Sequence, residues 1–252
     1  MLHLTWGERF QVSIGSRHVL VIGAGGLGCP ASLALARSRV GTITLIDDDV
    51  VDVSNLHRQL WHRAEDVGRH KVASAAAKLR AAFPSLGIEA RVLRVDASNV
   101  EPLFRAHDLV IDATDGVDIK FTLSDAAVRT GTPLIYGGVL RMQGQAMPIV
   151  KGGPCLRCLF ETPPGPDEAP SCAQAGVLGS MPGIIGAVQA RLAVECLQGK
   201  LGATGAADLL VFDGARLAGR TVRVSKAADC AVCGASVPSR EGRRQRSEGD
   251  IS

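Results

Sequence analysis

Short runs of apolar, β-branched residues alternate with longer stretches of helical periodicity over the first 140 positions. The run "HVLVIG", from His18 to Gly23, has the near-continuous apolar character of a strand buried on both faces. Glycines follow, then an alanine- and leucine-rich helix from about Cys29 to Ser38 that Gly41 ends, and "TITLID" supplies a second strand. The alternation continues through a helix in "GRHKVASAAAKLRAAF", stopped by Pro84, and a third strand in "IEARVLRVD". A short helix in "NVEPLFRA", a strand in "DLVIDATD", a helix in "VDIKFTLSDAAVRT" and a strand in "TPLIYGGV" complete the series. Repeated strand–helix alternation predicts an α/β fold, a Rossmann-like, mostly parallel sheet with helices on both faces.

After Gly144 the pattern changes. "QAMPIVKGGPCLRCLF" reads as a strand running into a cysteine pair, and "ETPPGPDEAPSC" carries too many prolines to be anything but a loop. A long apolar helix over about Pro182 to Leu197 comes next. "DLLVFDGARLAGRTVRVS" then predicts two closing antiparallel strands ending at a second cysteine pair. We expect one domain over residues 1–236, with a nucleotide half at about 17–140 and a second half at about 141–236, and a disordered arginine-rich tail at 237–252.

The composition, 46% hydrophobic in 252 residues, allows a sizeable core. A net charge of only +3 gives no reason to expect a nucleic-acid partner. No signal peptide or membrane span is visible, which predicts a cytoplasmic protein without a membrane partner. In that compartment the seven cysteines point to metal binding or catalysis rather than disulfides.

Gly23, Gly25 and Gly28 form G-x-G-x-x-G between a strand and a helix, with Gly26 inside the same turn. Such a turn lets backbone approach a phosphate at a helix N-terminus. Asp47, at the end of the second strand, is spaced to accept hydrogen bonds from a ribose. Beyond it, "DDDVVDVSNLHRQ" brings Asn55 and Arg58 onto one face of a turn, with Ser54 as N-cap, and Lys71 follows in the next helix. Arg58 and Lys71 suit a polyphosphate undergoing reaction and have no job in bare dinucleotide binding. Asp112 and Asp115 fall at the end of the fourth strand, where a carboxylate can hold Mg²⁺.

Cys155 and Cys158 form one C-x-x-C and Cys230 and Cys233 another, which together match a tetrahedral structural Zn²⁺ site. A redox dithiol is the alternative for either pair. Cys172, at the end of the proline-rich loop, is a candidate nucleophile or an incidental cysteine. Cys29 and Cys196 read as core, and His57, His62 and His70 show no ligand spacing.

The motifs "VIGAGGLGCPA", "LIDDDVVDVSNLHRQ", "VGRHKVASA", "IDATDG", "RMQGQ", "PCLRCL", "SCAQAGVLG" and "CAVCG" occur in an order that resembles the ThiF/MoeB/HesA family, from about Arg17 to Gly234. Members of that family resemble ubiquitin-activating enzymes and adenylylate the C-terminal glycine of small ubiquitin-like sulfur carriers. The resemblance implies an adenylyltransferase using ATP, Mg²⁺ and Zn²⁺. Gly25 would lie against the nucleotide and Asp47 on the ribose. Asn55, Arg58 and Lys71 would contact the phosphates with Gln59 close by, and Asp115 would hold Mg²⁺. Cys172 matches a cysteine that takes part in covalent sulfur transfer in several members. The implied partners are a carrier protein ending in Gly-Gly, a second copy in a homodimer, and a sulfurtransferase or cysteine desulfurase.

Two departures stand out. The family's opening segment, with an arginine that reaches the partner subunit's site, has no match: Arg9 lies in "WGERFQ". Either the start lies further upstream or the site works without that arginine. Gly116 also stands where the family often has asparagine, which weakens one polar contact to the nucleotide. "DDDV" and "VFDG" look thiamin-like and "RMQGQ" molybdopterin-like, so the acceptor stays open. A nicotinamide oxidoreductase and a non-catalytic nucleotide-binding zinc adaptor are the competing classes.

Overall fold

The computed structural model describes residues 14–163, 176–202 and 205–234. The strands are β1 (His18–Ile22), β2 (Thr42–Ile46), β3 (Gly87–Arg91), β4 (Leu109–Asp112), β5 (Leu134–Leu140), β6 (Gln143–Ile149), β7 (Ala206–Asp213) and β8 (Ala218–Ser225). They form one sheet in the order β3-β2-β1-β4-β5-β6-β7-β8. The first five are parallel, and β6, β7 and β8 run antiparallel to their neighbours. The α/β architecture and the antiparallel closing strands are those expected.

Helices α1 (Gly28–Arg37), α2 (Lys71–Ala82) and the long α6 (Ser180–Leu197) cover one face of the sheet. Leu35, Val72, Leu79 and Ile185 fill that layer with Val19, Val21 and Ile43. On the other face α3 (Val100–Arg105) and α4 (Val117–Thr130) pack Phe104, Phe121 and Leu123 against Leu20, Val110 and Leu134. A single helical turn, α5 (Leu156–Leu159), joins the second layer beside the cysteines. Both faces of the central strands are therefore dry, which is why β1 and β4 read as unbroken apolar runs.

Three expectations shift. The third strand stops at Arg91 instead of running to Asp96, because β2 ends at Ile46, the last partner in the ladder. The long apolar helix begins two residues earlier, at Ser180. Ser54 is not an N-cap: the cap of the short 3₁₀ turn Val53–Asn55 is Asp52, whose extended backbone lets its carboxylate accept from the Ser54 N–H at 2.8 Å. Among the described residues no helix is long and apolar enough to cross a membrane.

Candidate functional site

The helix after β1 goes to one face of the sheet and the helix after β4 to the other, so a crevice opens where these adjacent strands end. It holds a cleft of about 410 Å³ lined by Gly23, Gly25, Gly26, Asp47, Arg58, Gln59, Lys71, Asp115 and Lys120, among others. Arg94 and Val95, just beyond β3, close its far side, and Pro182 of α6 closes its near side.

The glycine turn is held by backbone geometry. Gly23 has φ +101°, and a side chain there would collide with the Ala113 carbonyl at the end of β4. Ala24 is clamped from two directions. Its N–H donates to Asp47 Oδ2 at 2.7 Å, and its carbonyl lies 2.9 Å from His62 Nε2. Asp47 Oδ1 accepts a further N–H from Asp49 at 2.9 Å. Burial pushes the Asp47 carboxyl above its ordinary 3.8, while the Ala24 N–H and the Lys71 charge pull it back. The same acid that faces the cleft thus anchors the glycine turn.

His62 is buried, and burial lowers its pKa. Its Nδ1 meets the Ser74 hydroxyl at 3.0 Å. Sequence reading left this residue unassigned, because nothing in the spacing tells that it reaches back to the glycine turn.

The cations differ in how they are held. Arg58 is half-buried, and its Nη2 donates to Asn55 Oδ1 at 2.6 Å. Asn55 is half-buried, and its side-chain oxygen accepts from the Arg58 fork and orients it. Lys71 opens α2, and its buried ammonium donates to Asp49 Oδ2 at 2.8 Å. Asp49 is therefore the counter-ion of Lys71, and Asp48 is exposed beside it. Gln59 is buried, with Oε1 free of any hydrogen bond within the described residues, and a side chain at Gly25 would meet its Nε2 at 3.2 Å. A buried acceptor left unpaired costs roughly 1–3 kcal/mol, so this cradle fits a ligand that donates to it and needs Gly25 bare.

The two acids at the end of β4 separate in role. Asp112 is fully buried and spent: its oxygens take the Lys120 ammonium at 3.0 and 3.2 Å and the Thr114 N–H at 3.0 Å. Asp115 is exposed on the cleft and makes no ion pair with the described residues. Of these two acids, Asp115 is the one open to a cation.

Away from the cleft, the four thiols of Cys155, Cys158, Cys230 and Cys233 lie within 4.8 Å of one another. Cys155 Sγ is 3.6 Å from Cys230 Sγ, and Cys158 Sγ is 3.3 Å from Cys233 Sγ. Tetrahedral Zn–S bonds of about 2.3 Å would set the sulfurs about 3.8 Å apart, so the cluster fits such an ion with little adjustment. Burial pushes the Cys155 thiol up; burial also works against Cys230, yet N–H groups of Cys233 and Val232 hold it down at about 7. The close pairs join one C-x-x-C to the other, a pattern for a shared ion rather than two separate dithiols. Cys172 and Arg9 lie outside the described residues.

Residues 1–232 match the ThiF family model. The chain is 41% identical over 228 residues to the SAMP-activating enzyme E1 of Haloferax volcanii, covering 90% of this chain and 84% of that protein. It is 38% identical over 241 residues to the sulfur carrier protein adenylyltransferase of Thermus thermophilus, covering 93% and 89%. The adenylyltransferase and sulfurtransferase MOCS3 of Anopheles gambiae is 41% identical over 90% of this chain but only 52% of its own length, so the chain spans about half of that relative. Among solved structures, E. coli MccB superposes with a TM-score of 0.77 at 18% identity over 89% of this chain and 67% of that one, a likeness of fold alone.

Proposed function

The chain belongs to the ThiF family, and from that premise we propose that it adenylylates the C-terminal glycine carboxylate of a small ubiquitin-like sulfur-carrier protein. The observation that carries this reading is one cleft that gathers a glycine turn, a ribose-type acid, the cations Arg58 and Lys71 and the unpaired carboxylate of Asp115. A nicotinamide site needs only the first two.

In this reading ATP enters with its Mg²⁺ as substrate. Asp47 accepts from the ribose, and the N–H groups of the glycine turn face the phosphates. Gln59 Oε1 accepts a donor of the nucleotide, and Asp115 takes the magnesium. The carrier's carboxylate is already ionised at neutral pH, so no general base is required. One carboxylate oxygen forms the bond to the α-phosphorus, the α–β anhydride bond breaks, and pyrophosphate leaves with the electron pair. Because an anion attacks an anion, catalysis is positioning and charge neutralisation, supplied by Arg58 and Lys71. The nucleotide work falls to residues at about 17–140 and carrier binding to about 141–236.

The four-cysteine cluster is assigned a structural zinc ion with no open coordination position. Cys172 is assigned to the sulfur-transfer step that follows adenylylation, with a sulfurtransferase or cysteine desulfurase as sulfur donor and a homodimer as the working unit. Cys172→Ala is then expected to leave adenylate formation intact and stop sulfur transfer. The deciding experiment incubates the protein with Mg-ATP and carriers of the thiamin and molybdopterin types, each ending in Gly-Gly. An adenylate on one carrier, seen by mass spectrometry, selects the pathway; no adenylate on any carrier, and no ATP–pyrophosphate exchange, leaves the nucleotide-binding adaptor instead.

A further inference from the structure

Lys120 is a second buried lysine of the cleft, and its surroundings differ from those of Lys71. It lies in the second turn of α4, 8% exposed. Its ammonium donates to both Asp112 oxygens at 3.0 and 3.2 Å, to the Thr114 carbonyl at 2.8 Å and to the Gly137 carbonyl at 2.6 Å. The Tyr136 ring centroid lies 5.4 Å away. An ammonium has three protons, and here four acceptors share them. None is left for a phosphate, although Lys120 lines the cleft.

Such an arrangement is expensive. Replacing a buried ion pair with apolar residues is often neutral or stabilising, so stability alone is a poor reason to keep one. The anchors have a geometric sense instead. Asp112 ends β4, Thr114 lies in the turn that follows, and Gly137 is in the neighbouring strand β5. One side chain therefore pins the β4–α4 turn to both strands. Asp115 is the next residue of that turn. Beyond Thr114 the turn offers little restraint of its own: Gly116 has no side chain, and the N-terminus of α4 has no side-chain cap. Asp112 is itself held rigid by the Thr114 N–H and hydroxyl at 3.0 and 2.7 Å.

We propose that Lys120 is a positioning residue that aims the Asp115 carboxylate at the magnesium of bound Mg-ATP by fixing the Thr114–Asp115 turn. This rests on the adenylylation reading above. It does not touch the nucleotide, and its effect passes through Asp115.

The test measures binding of α,β-methylene-ATP by calorimetry, with and without Mg²⁺, on the full chain and on Lys120→Met and Lys120→Arg. In Lys120→Met the tightening due to Mg²⁺ should shrink about tenfold, while Mg²⁺-free affinity stays within about twofold; Lys120→Arg, which keeps the charge, should lose threefold or less. Adding Asp115→Ala to Lys120→Met should cost little more, since both act on one contact. A purely structural role would weaken both affinities together or leave the Mg²⁺ increment unchanged, and either result overturns the proposal. If Lys120→Met does not fold, Asp112→Asn loosens the same anchor and carries the same prediction. Failure of the unmodified protein to bind the analogue at all would instead sink the adenylylation reading.

Discussion

The ammonium of Lys71 is buried to 7% exposure and lies 2.8 Å from a carboxylate, Asp49, that is 67% exposed. Lys71 also stands at the N-terminus of α2, where the helix dipole disfavours a cation and no acid of the first turn offsets it. The pair is therefore lopsided: a costly charge with a solvated partner. That suits a cation that exchanges Asp49 for a phosphate when the nucleotide arrives.

Asp49→Asn should separate the two roles of that pair. An ion pair so exposed on one side contributes on the order of 1 kcal/mol, or a Tm loss of roughly 2–4 °C. Saturating ATP should then raise Tm more in the variant than in the unmodified protein, because the ligand replaces the missing counter-ion. Lys71→Met should instead lower pyrophosphate exchange about 10²–10³-fold. Differential scanning fluorimetry with and without ATP reads the first effect and exchange assays the second.

Arg58 and Asn55 should behave as a unit. Arg58→Ala is expected to reduce exchange about 10²–10³-fold. Asn55→Ala, which frees the guanidinium held at 2.6 Å, should cost about tenfold, the kinetic equivalent of one hydrogen bond. The double variant should be no slower than Arg58→Ala. Additive losses would mean that Asn55 acts on the substrate directly.

Removing a thiol from the four-cysteine cluster should release the zinc. Cys158→Ser and Cys233→Ser are expected to lose the ion by atomic absorption and to destabilise the fold by about 4 kcal/mol or more, since loss of a metal is among the severe mechanisms. Full zinc retention in both variants would remove the assignment.

Stability should fall in mild acid through His62. Burial holds its folded pKa below the ordinary 6.5, so below pH 6.5 the unfolded chain takes a proton that the native state resists. Unfolding free energy then decreases as pH drops from 6.5 through the folded value, and is flat above. The buried His107 has the same sign. His62→Gln, read by urea denaturation between pH 5 and 7.5, should reduce the slope without abolishing it.

What could be read from the chain was what is local. The glycine turn and Asp47 sit at strand ends, the Asn55–Arg58 spacing falls within one short turn, and Val117–Thr130 was delimited to the residue because Gly131 adopts φ +75° and closes the helix. The Ser54 cap failed for a local reason too: Asp52 and Ser54 are both good caps, and only the backbone at Asp52, φ −118° and ψ 145°, decides between them. Lys120 went unnoticed because its acceptors are contributed by Asp112, Thr114 and Gly137, which only the fold of β4 against β5 brings together. His62 escaped for the same reason, since its partner Ala24 lies 38 positions away.

The cysteine cluster also orders events in time. Cys230 and Cys233 leave the ribosome after every strand of the sheet. The β7–β8 hairpin pairs with β6 and packs Leu209 and Val224 into the core, while the large loop back to Cys155 closes only at the cysteines. Closing a loop of that length costs entropy that grows only slowly with length. The zinc ion proposed for these cysteines would then latch a sheet already assembled, and a cell short of zinc would accumulate chains frayed at the C-terminal edge.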